Sequence, residues 1–347
     1  MSYYAIGYRR TRHHKVLDVI FPEIQTNEEM LNSLHKLLKA ETGNPHTLTN
    51  DEYQSCRNLA FLSAPIELTS QSNGYATMDT IFFILDDLNS PINTTEDAYF
   101  RLQLLSHRHV KPHEVNLDGI FSQLLNLAWT SIGPVLPDEL STIQANALID
   151  NQVINVTHVD KFPYMVNYHI PSGVRIADAS RVRLGAYLGE GTTIMPAGFV
   201  NFNAGTLGNA MVEGRISAGV IVGNNSDVGG GASIMGTLSG GNDRVISIGE
   251  KCLLGANAGI GISLGNGCTV AAGVYVYAGK KVTLLNESNE AVDMDGNSVP
   301  SGQNIVKASE LSGSDFRLFF EDSQTGELIC KPNTKVIQLN QTLHIND

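Results

Sequence analysis

The chain has 347 residues, 42% of them hydrophobic and 17% charged, and a formal charge of −12. That length holds two or three domains with cores of their own, and the composition reads as globular and soluble. The negative balance argues against a nucleic-acid partner, because a polyanion would be repelled over most of the surface.

The opening MSYYAIGYRRTRHH lacks the apolar segment of a secretory signal. No apolar run approaches the roughly 18 residues of a spanning helix. The basic cluster from Arg9 to His14 reads as a solvated N-terminal arm. Thr26 and Glu29 have capping-box spacing ahead of Leu31, Leu34, Leu37 and Leu38, with Gly43 as a stop signal, which predicts a helix. IFFIL at 81–85 predicts a buried strand. Leu117, Ile120, Phe121, Leu124 and Leu125 predict a second amphipathic helix, ended near Gly133 and Pro134. The four cysteines, Cys56, Cys252, Cys268 and Cys330, include no C-x-x-C pair, so neither a zinc knuckle nor a redox motif is expected. A reducing cytoplasm is the expected compartment.

From residue 174 to 282 the pattern changes. Of the 33 glycines, 24 lie between Gly173 and Gly279. Apolar residues recur every sixth position from Ile176 through Val182, Leu188, Ile194, Val200, Thr206 and Val212. After a slip the series resumes at Val222, Val228 and Ile234, then at Ile248, Leu254 and Ile260, and after another slip at Leu264, Val270, Val276 and Val282. Four residues after most of these stands a small residue, such as Ala186, Ala204, Ser226, Cys252, Ala258 or Cys268. Short strands with one inward side chain, joined by corners that admit only small ones, give this spacing, and stacked coils bury an apolar column. The chain therefore predicts a parallel β-helix, with Cys252 and Cys268 as packing residues. Gly189, Gly223, Gly249, Gly255 and Asn201 are expected at corners needing positive φ. The run GANAGIGISLGNG is not a nucleotide loop, since no helix pattern follows it. Beyond the repeat, VKASELSG and LFFEDSQTGELICK predict short strands and turns that cover the open end of the coil.

No histidine lies between 174 and 282. That argues against a zinc hydratase built on coil histidines, and a histidine base would have to come from outside, for example His158 or His169. Carboxylates remain: Asp178, Glu190, Glu213, Asp227, Asp243 and Glu250. Glu213 differs from the others, because it follows an inward residue at a position where the repeat otherwise takes Gly, Ala or Asn. The repeat holds eight Lys/Arg and six Asp/Glu against a strongly negative remainder. Arg175, Arg181, Arg183, Arg215 and Arg244 are thus expected to form a stripe that steers anionic substrates. Arg215, two residues after Glu213, is expected on the same side of a strand.

At FVNFNAGTLGNAMVEGRISAGVIVG, SDVGGGASIMGTLSGG and CLLGANAGIGISLG the chain closely resembles the tetrahydrodipicolinate N-succinyltransferases, in their longer-chain actinobacterial and pseudomonad form. The resemblance spans about Pro171 to Gly313. It implies succinyl transfer from succinyl-CoA to tetrahydrodipicolinate, a step of lysine and diaminopimelate biosynthesis, by a homotrimer with active sites between subunits. It implies Glu213 as the catalytic carboxylate, as acyl-anhydride nucleophile or base, and Arg215 as a contact of the acyl donor. Gly230, Ser233, Ala256, Ala271, Ala272, Gly279, Lys307 and Ser323 match further positions of the succinyl-CoA groove. Two departures stand out. Ser180 and Ala197 occupy positions where relatives carry an acidic pair holding magnesium, which makes that metal doubtful. Phe320, Glu321, Asp322 and Ser323 replace a basic run, which leaves Lys280, Lys281, Lys307 and Arg317 as candidates for the CoA phosphates.

The expected architecture is an α+β N-terminal domain (1–170), a left-handed parallel β-helix of hexapeptide repeats (171–283) and a small β-rich C-terminal cap (284–347). An acyltransferase acting on another amine, such as an amino sugar, and a non-catalytic scaffold are the alternatives. No tightly bound cofactor, nucleic acid or membrane is expected.

Overall fold

The computed structural model describes residues 1–58, 70–72, 74–236 and 245–335; Asp243 and Arg244 lie outside them. The chain folds into two compact units. The first comprises Met1–Val110, Glu114–Pro163 and Asn167–His169; the second comprises Lys111–His113, Tyr164–Val166 and the chain from Ile170 onward.

The first unit is built on β1 (Tyr3–Arg12), β2 (Lys15–Ile20), α1 (Glu28–Leu38), β3 (His46–Thr47), α2 (Asn50–Asn58), β4 (Ser70–Ser72), β5 (Thr77–Leu85) and α3 (Thr95–Ser106). Its sheet runs β2-β1-β5-β3, with β4 also pairing with β5. The whole of IFFIL is buried, because both faces of β5 are covered. Tyr4, Ile6, Phe82 and Ile84 pack with Leu31, Leu34 and Leu38 of α1. On the other face Phe100 of α3 sits 5.0 Å, centroid to centroid, from both Phe21 and Phe83. The unit continues through α4 (Ile120–Gln123), β6 (Leu127–Thr130), β7 (Gly133–Val135), α5 (Leu140–Ile149) and β8 (Val156–Asp160), with the last three strands in a sheet ordered β7-β6-β8.

Several expectations for this unit need correction. Arg9 to Arg12 are not a solvated arm but the end of β1, and carboxylates hold them there. Arg9 binds Asp79 and Glu96, Arg10 binds the buried Asp18, and Arg12 binds Glu139. The cap of α1 is Asn27, whose Oδ1 accepts from the Met30 N–H at 3.0 Å, and the helix ends at Lys39 in a left-handed conformation, before Gly43. The helix expected around 117–125 is the single turn α4; Phe121 is exposed, and Leu124 is already extended toward β6. The long helix here is α3, buried on every side, with Arg101 chelated by Asp97 and by backbone carbonyls. With no polar face it has no amphipathic period to detect.

The second unit is the β-helix, and the inward residues stack in three columns. Ile176, Ile194, Val212, Val228, Leu254 and Val270 line the first face. Val182, Val200, Ile216, Ile234, Ile260 and Val276 line the second. Leu188, Thr206, Val222, Ile248 and Leu264 line the third. All but Ile176 are buried, the aliphatic ones each contributing about 2 kcal/mol by area burial. Thr206 fits because its hydroxyl bonds to that of Thr192 at 2.7 Å. The Lys281–Leu284, Ile305–Lys307, Arg317–Glu321 and Leu328–Pro332 strands extend the first face, and Phe319 pairs with Val270 to close its column.

Two details depart from the repeat as read. Ile216 belongs to the inward series, so the slips are four-residue steps, from Val212 to Ile216 and from Ile260 to Leu264. The left-handed corner residues fall three places after the inward one: Asn203, Asn225, Gly231, Lys251, Asn257 and Gly273 are examples. Gly189, Gly223, Gly249, Gly255 and Asn201 have ordinary φ. The glycines among them are required by close approach, since a methyl group on Gly223 would lie 2.6 Å from the Gly249 backbone of the next coil. Among the described residues no helix is long and apolar enough to cross a membrane.

Candidate active site

The corner between the first and second faces is where the coils differ. Five coils cross it in six residues: Ile176 to Val182, Ile194 to Val200, Val228 to Ile234, Leu254 to Ile260, and Val270 to Val276. The coil of Glu213 crosses it in four, Val212 to Ile216, so two turn residues are missing and a notch is left. Glu213 stands in that notch. Its N–H donates to the Val228 carbonyl at 2.8 Å and its carbonyl accepts from Gly231 at 3.3 Å, which pins the backbone between coils. The half-buried side chain reaches over the next corner, where a methyl group on Gly230 would lie 3.3 Å from Oε2. Among the described residues no hydrogen bond or ion pair engages the carboxylate.

Gly230, Ala256 and Ala272 follow one another at this corner. The Asn257 N–H donates to the Gly230 carbonyl at 2.9 Å and the Gly273 N–H to the Ala256 carbonyl at 2.8 Å. Ala256 and Ala272 are exposed and Ala271 is half-buried, so the corner is a track of small side chains leading from Glu213. Arg215 is not beside Glu213 on one strand, because the strand ends at Val212 and the next begins at Arg215 on the second face. There Phe199, Arg215, Ser233, Gly259 and Tyr275 form one outward row. Arg215 Nη2 donates to Ser233 Oγ at 2.6 Å. A methyl group on Gly259 would enter the Tyr275 ring, so that ring lies across the glycine. Tyr275 was legible as the residue preceding the inward Val276, but outward positions carry no periodic signal of their own.

The other expected site residues are more dispersed. Gly279 is exposed after the last coil, and Lys307 lies opposite Lys281 on paired strands. Two like charges held face to face oppose folding and suit an anion. Neither lysine has an ion-pair partner among the described residues. Arg317 lines a hollow with Leu284, Asp293, Asp295 and Cys330. Ser323 sits in the turn of the C-terminal hairpin, with no hydrogen bond to the corner among the described residues. The arginine stripe is divided: Arg175 is on the first face and Arg215 on the second, Arg181 pairs with Asp178 at 3.6 Å, and Arg183 lies 6.0 Å from the Phe199 ring centroid.

The residues at the expected magnesium position do not suit it. Ala197 has no donor atom, and the Ser180 hydroxyl donates to Asp178 at 2.7 Å. Among the described residues no group of three His, Cys, Asp or Glu could hold a metal. His158 stacks on Trp129, and His169 stacks on His107 with centroids 3.7 Å apart, both within the first unit. Among the described residues a histidine that does meet the coils is His113, whose Nε2 bonds the Gly219 carbonyl at 2.6 Å. Cys252 and Cys268 are buried neighbours, as their corner positions require; the Cys268 N–H donates to Cys252 Sγ at 3.4 Å. The hydrogen bond to Cys268, with burial, holds the Cys252 thiol above its ordinary range.

Comparison with known proteins extends these observations. Residues 124–164 match the family model described as tetrahydrodipicolinate N-succinyltransferase middle, and residues 245–278 match that of the hexapeptide repeat of succinyl-transferase. A 2,3,4,5-tetrahydropyridine-2,6-dicarboxylate N-succinyltransferase of Vibrio cholerae is 46% identical over the full length of both chains. The enzyme of the same name from Pseudomonas aeruginosa is 46% identical, covering 97% of this chain and 96% of its own. A crystal structure from Campylobacter jejuni, provisionally assigned as a 2,3,4,5-tetrahydropyridine-2-carboxylate N-succinyltransferase, superposes with a TM-score of 0.80 at 33% identity, covering 97% of this chain and 93% of the other. With relatives this similar along its whole length, and with the β-helix their hexapeptide repeat requires, the chain belongs to the tetrahydrodipicolinate N-succinyltransferase family.

Proposed function

We propose that this chain transfers the succinyl group of succinyl-CoA to tetrahydrodipicolinate, giving N-succinyl-2-amino-6-oxopimelate and free CoA. The observation that carries the reading is the full-length similarity to enzymes named for this acceptor, joined, among the described residues, to an unpartnered carboxylate at the one shortened corner of its kind. Attack of the acceptor amine on the thioester needs a group to take its proton as the CoA thiolate leaves. Glu213 serves as that base, or attacks first to form a mixed anhydride that the amine then opens. Gly230 leaves room for the carboxylate, Arg215 faces the succinyl carboxylate, and Ser233 holds Arg215 in place. The track of Ala256, Ala271 and Ala272 lies against the pantetheine arm, while Gly279, Lys281, Lys307 and Ser323 border the CoA phosphates.

The working form is a homotrimer with each site between two copies, the arrangement that the family resemblance implies. No magnesium is held at Ser180 and Ala197, because an alanine gives a hard cation no oxygen. The test is release of CoA thiol from succinyl-CoA with tetrahydrodipicolinate, in parallel with amino sugars. Turnover with tetrahydrodipicolinate alone is expected. Turnover with an amino sugar alone, or with neither, would overturn the assignment.

A further inference from the structure

Helix α5 is an anomaly in its own unit. Its sequence LSTIQANALI is largely apolar, yet none of its residues is buried. Leu148 is 66% exposed and Ile149 83%, and Val153, at 72%, continues the patch toward Val156 and Val159 of β8, also exposed. β8 is moreover an edge strand, pairing only with β6 among the described residues. A ten-residue helix that fully buries none of its apolar side chains is not stable by propensity alone, so this surface is built to be covered.

We propose that α5 and β8 form the surface by which one copy of the chain grips a second copy, seated against that copy's β-helix. The rim decides the occupant. Between Lys111 and Lys161 there is no lysine or arginine; Asp138 and Asp150 flank α5 in sequence and Asp160 ends β8, while Glu139 is already paired with Arg12. Such a rim repels nucleic acids and acidic lipid surfaces. It also opposes pairing of the patch with itself, since a two-fold contact would set one acidic rim against the other. Cations are required opposite, and this chain keeps its positive balance on the β-helix, where the outward Arg175 has no ion-pair partner among the described residues. An acidic apolar patch on one copy meeting a basic coil on the next is a heterologous contact, the kind that closes a ring of three. The inference rests on the homotrimer reading above and assigns the surface that closes it.

Light scattering on dilution of the full chain is the first test, comparing wild type with Leu148→Glu/Ile149→Glu. Both side chains are exposed, so the variant is expected to keep its circular dichroism while its half-dissociation concentration rises at least tenfold. Asp150→Arg is expected to weaken assembly likewise, and Asp150→Arg combined with Arg175→Glu to recover most of it. Hydrogen exchange of wild type supplies a readout that needs no variant: amides 140–149 are expected to exchange at least tenfold more slowly when assembled than when diluted. A monomeric wild type at micromolar concentration would sink the trimer reading itself. A stable wild-type trimer whose Leu148→Glu/Ile149→Glu variant dissociates no more readily, with amides 140–149 unprotected, would leave the trimer intact and overturn this inference.

Discussion

Glu213 is half-buried, and among the described residues nothing pairs with its carboxylate, at a corner where Gly229 and Gly255 occupy the equivalent places in the following coils. A glutamate there costs little and gains nothing for the fold, so its removal separates chemistry from stability. Glu213→Gln keeps the shape and removes basicity and nucleophilicity together. It is expected to lower kcat by roughly 10² or more, the range of a lost general base, with the melting temperature unchanged. Near-normal turnover would end the assignment, and a hydroxylamine-sensitive succinyl adduct on Glu213 would favour the anhydride. Lys307 is proposed to border the CoA phosphates, so Lys307→Ala is expected to raise the KM for succinyl-CoA with kcat nearly intact, the pattern of lost uniform binding. An unchanged KM would remove Lys307 from the donor site.

At the scale of the coil, the inward residues were legible because burial imposes a period, and all but one of them could be read. Ile216 escaped because it follows Val212 by four residues, and a reader counting in sixes steps over it. The same irregularity makes the notch, so the feature that hid from the pattern is the one that positions the candidate site. The corner glycines were legible as a class, but their cause was not, since close approach between coils appears only once the stacking is known. Gly205 combines both causes: its φ is +154°, and a methyl group would run into the carbonyl oxygen of Tyr187, its partner in the neighbouring strand. Backbone cannot yield as a side-chain tip can. Gly205→Ala is therefore expected to cost about 2–4 kcal/mol, read as a lower denaturant midpoint. A midpoint within error of wild type would mean the coils slide more freely than their ladders allow.

At the scale of the whole molecule, the two units are expected to differ in their response to acid. The coils contain no histidine, whereas the first unit packs His107, His109 and His169 together, with Tyr3 edge-on to His109. Burial, then the neighbouring His169 and His109, pushes His107 down to about 3; burial, then Arg108 and His109, pushes His169 down to about 4. Burial lowers His109 as well. In the unfolded chain these rings titrate near 6.5, so between that value and about 4 the unfolded state binds more protons than the folded one. The stability they contribute is fully present above pH 6.5 and is lost as the pH falls toward 4. The chain's only tryptophan, Trp129, lies in the first unit and reports on it separately from the β-sheet signal of the coils. On heating at pH 7.5 the fluorescence and circular-dichroism transitions are expected to lie close together; at pH 5 the fluorescence transition should come first, by several degrees. His107→Gln/His169→Gln should narrow that gap at pH 5, because glutamine takes up no proton in either state. Transitions that move down together with acid, in wild type and variant alike, would show that the histidine cluster does not set the acid limit of the first unit.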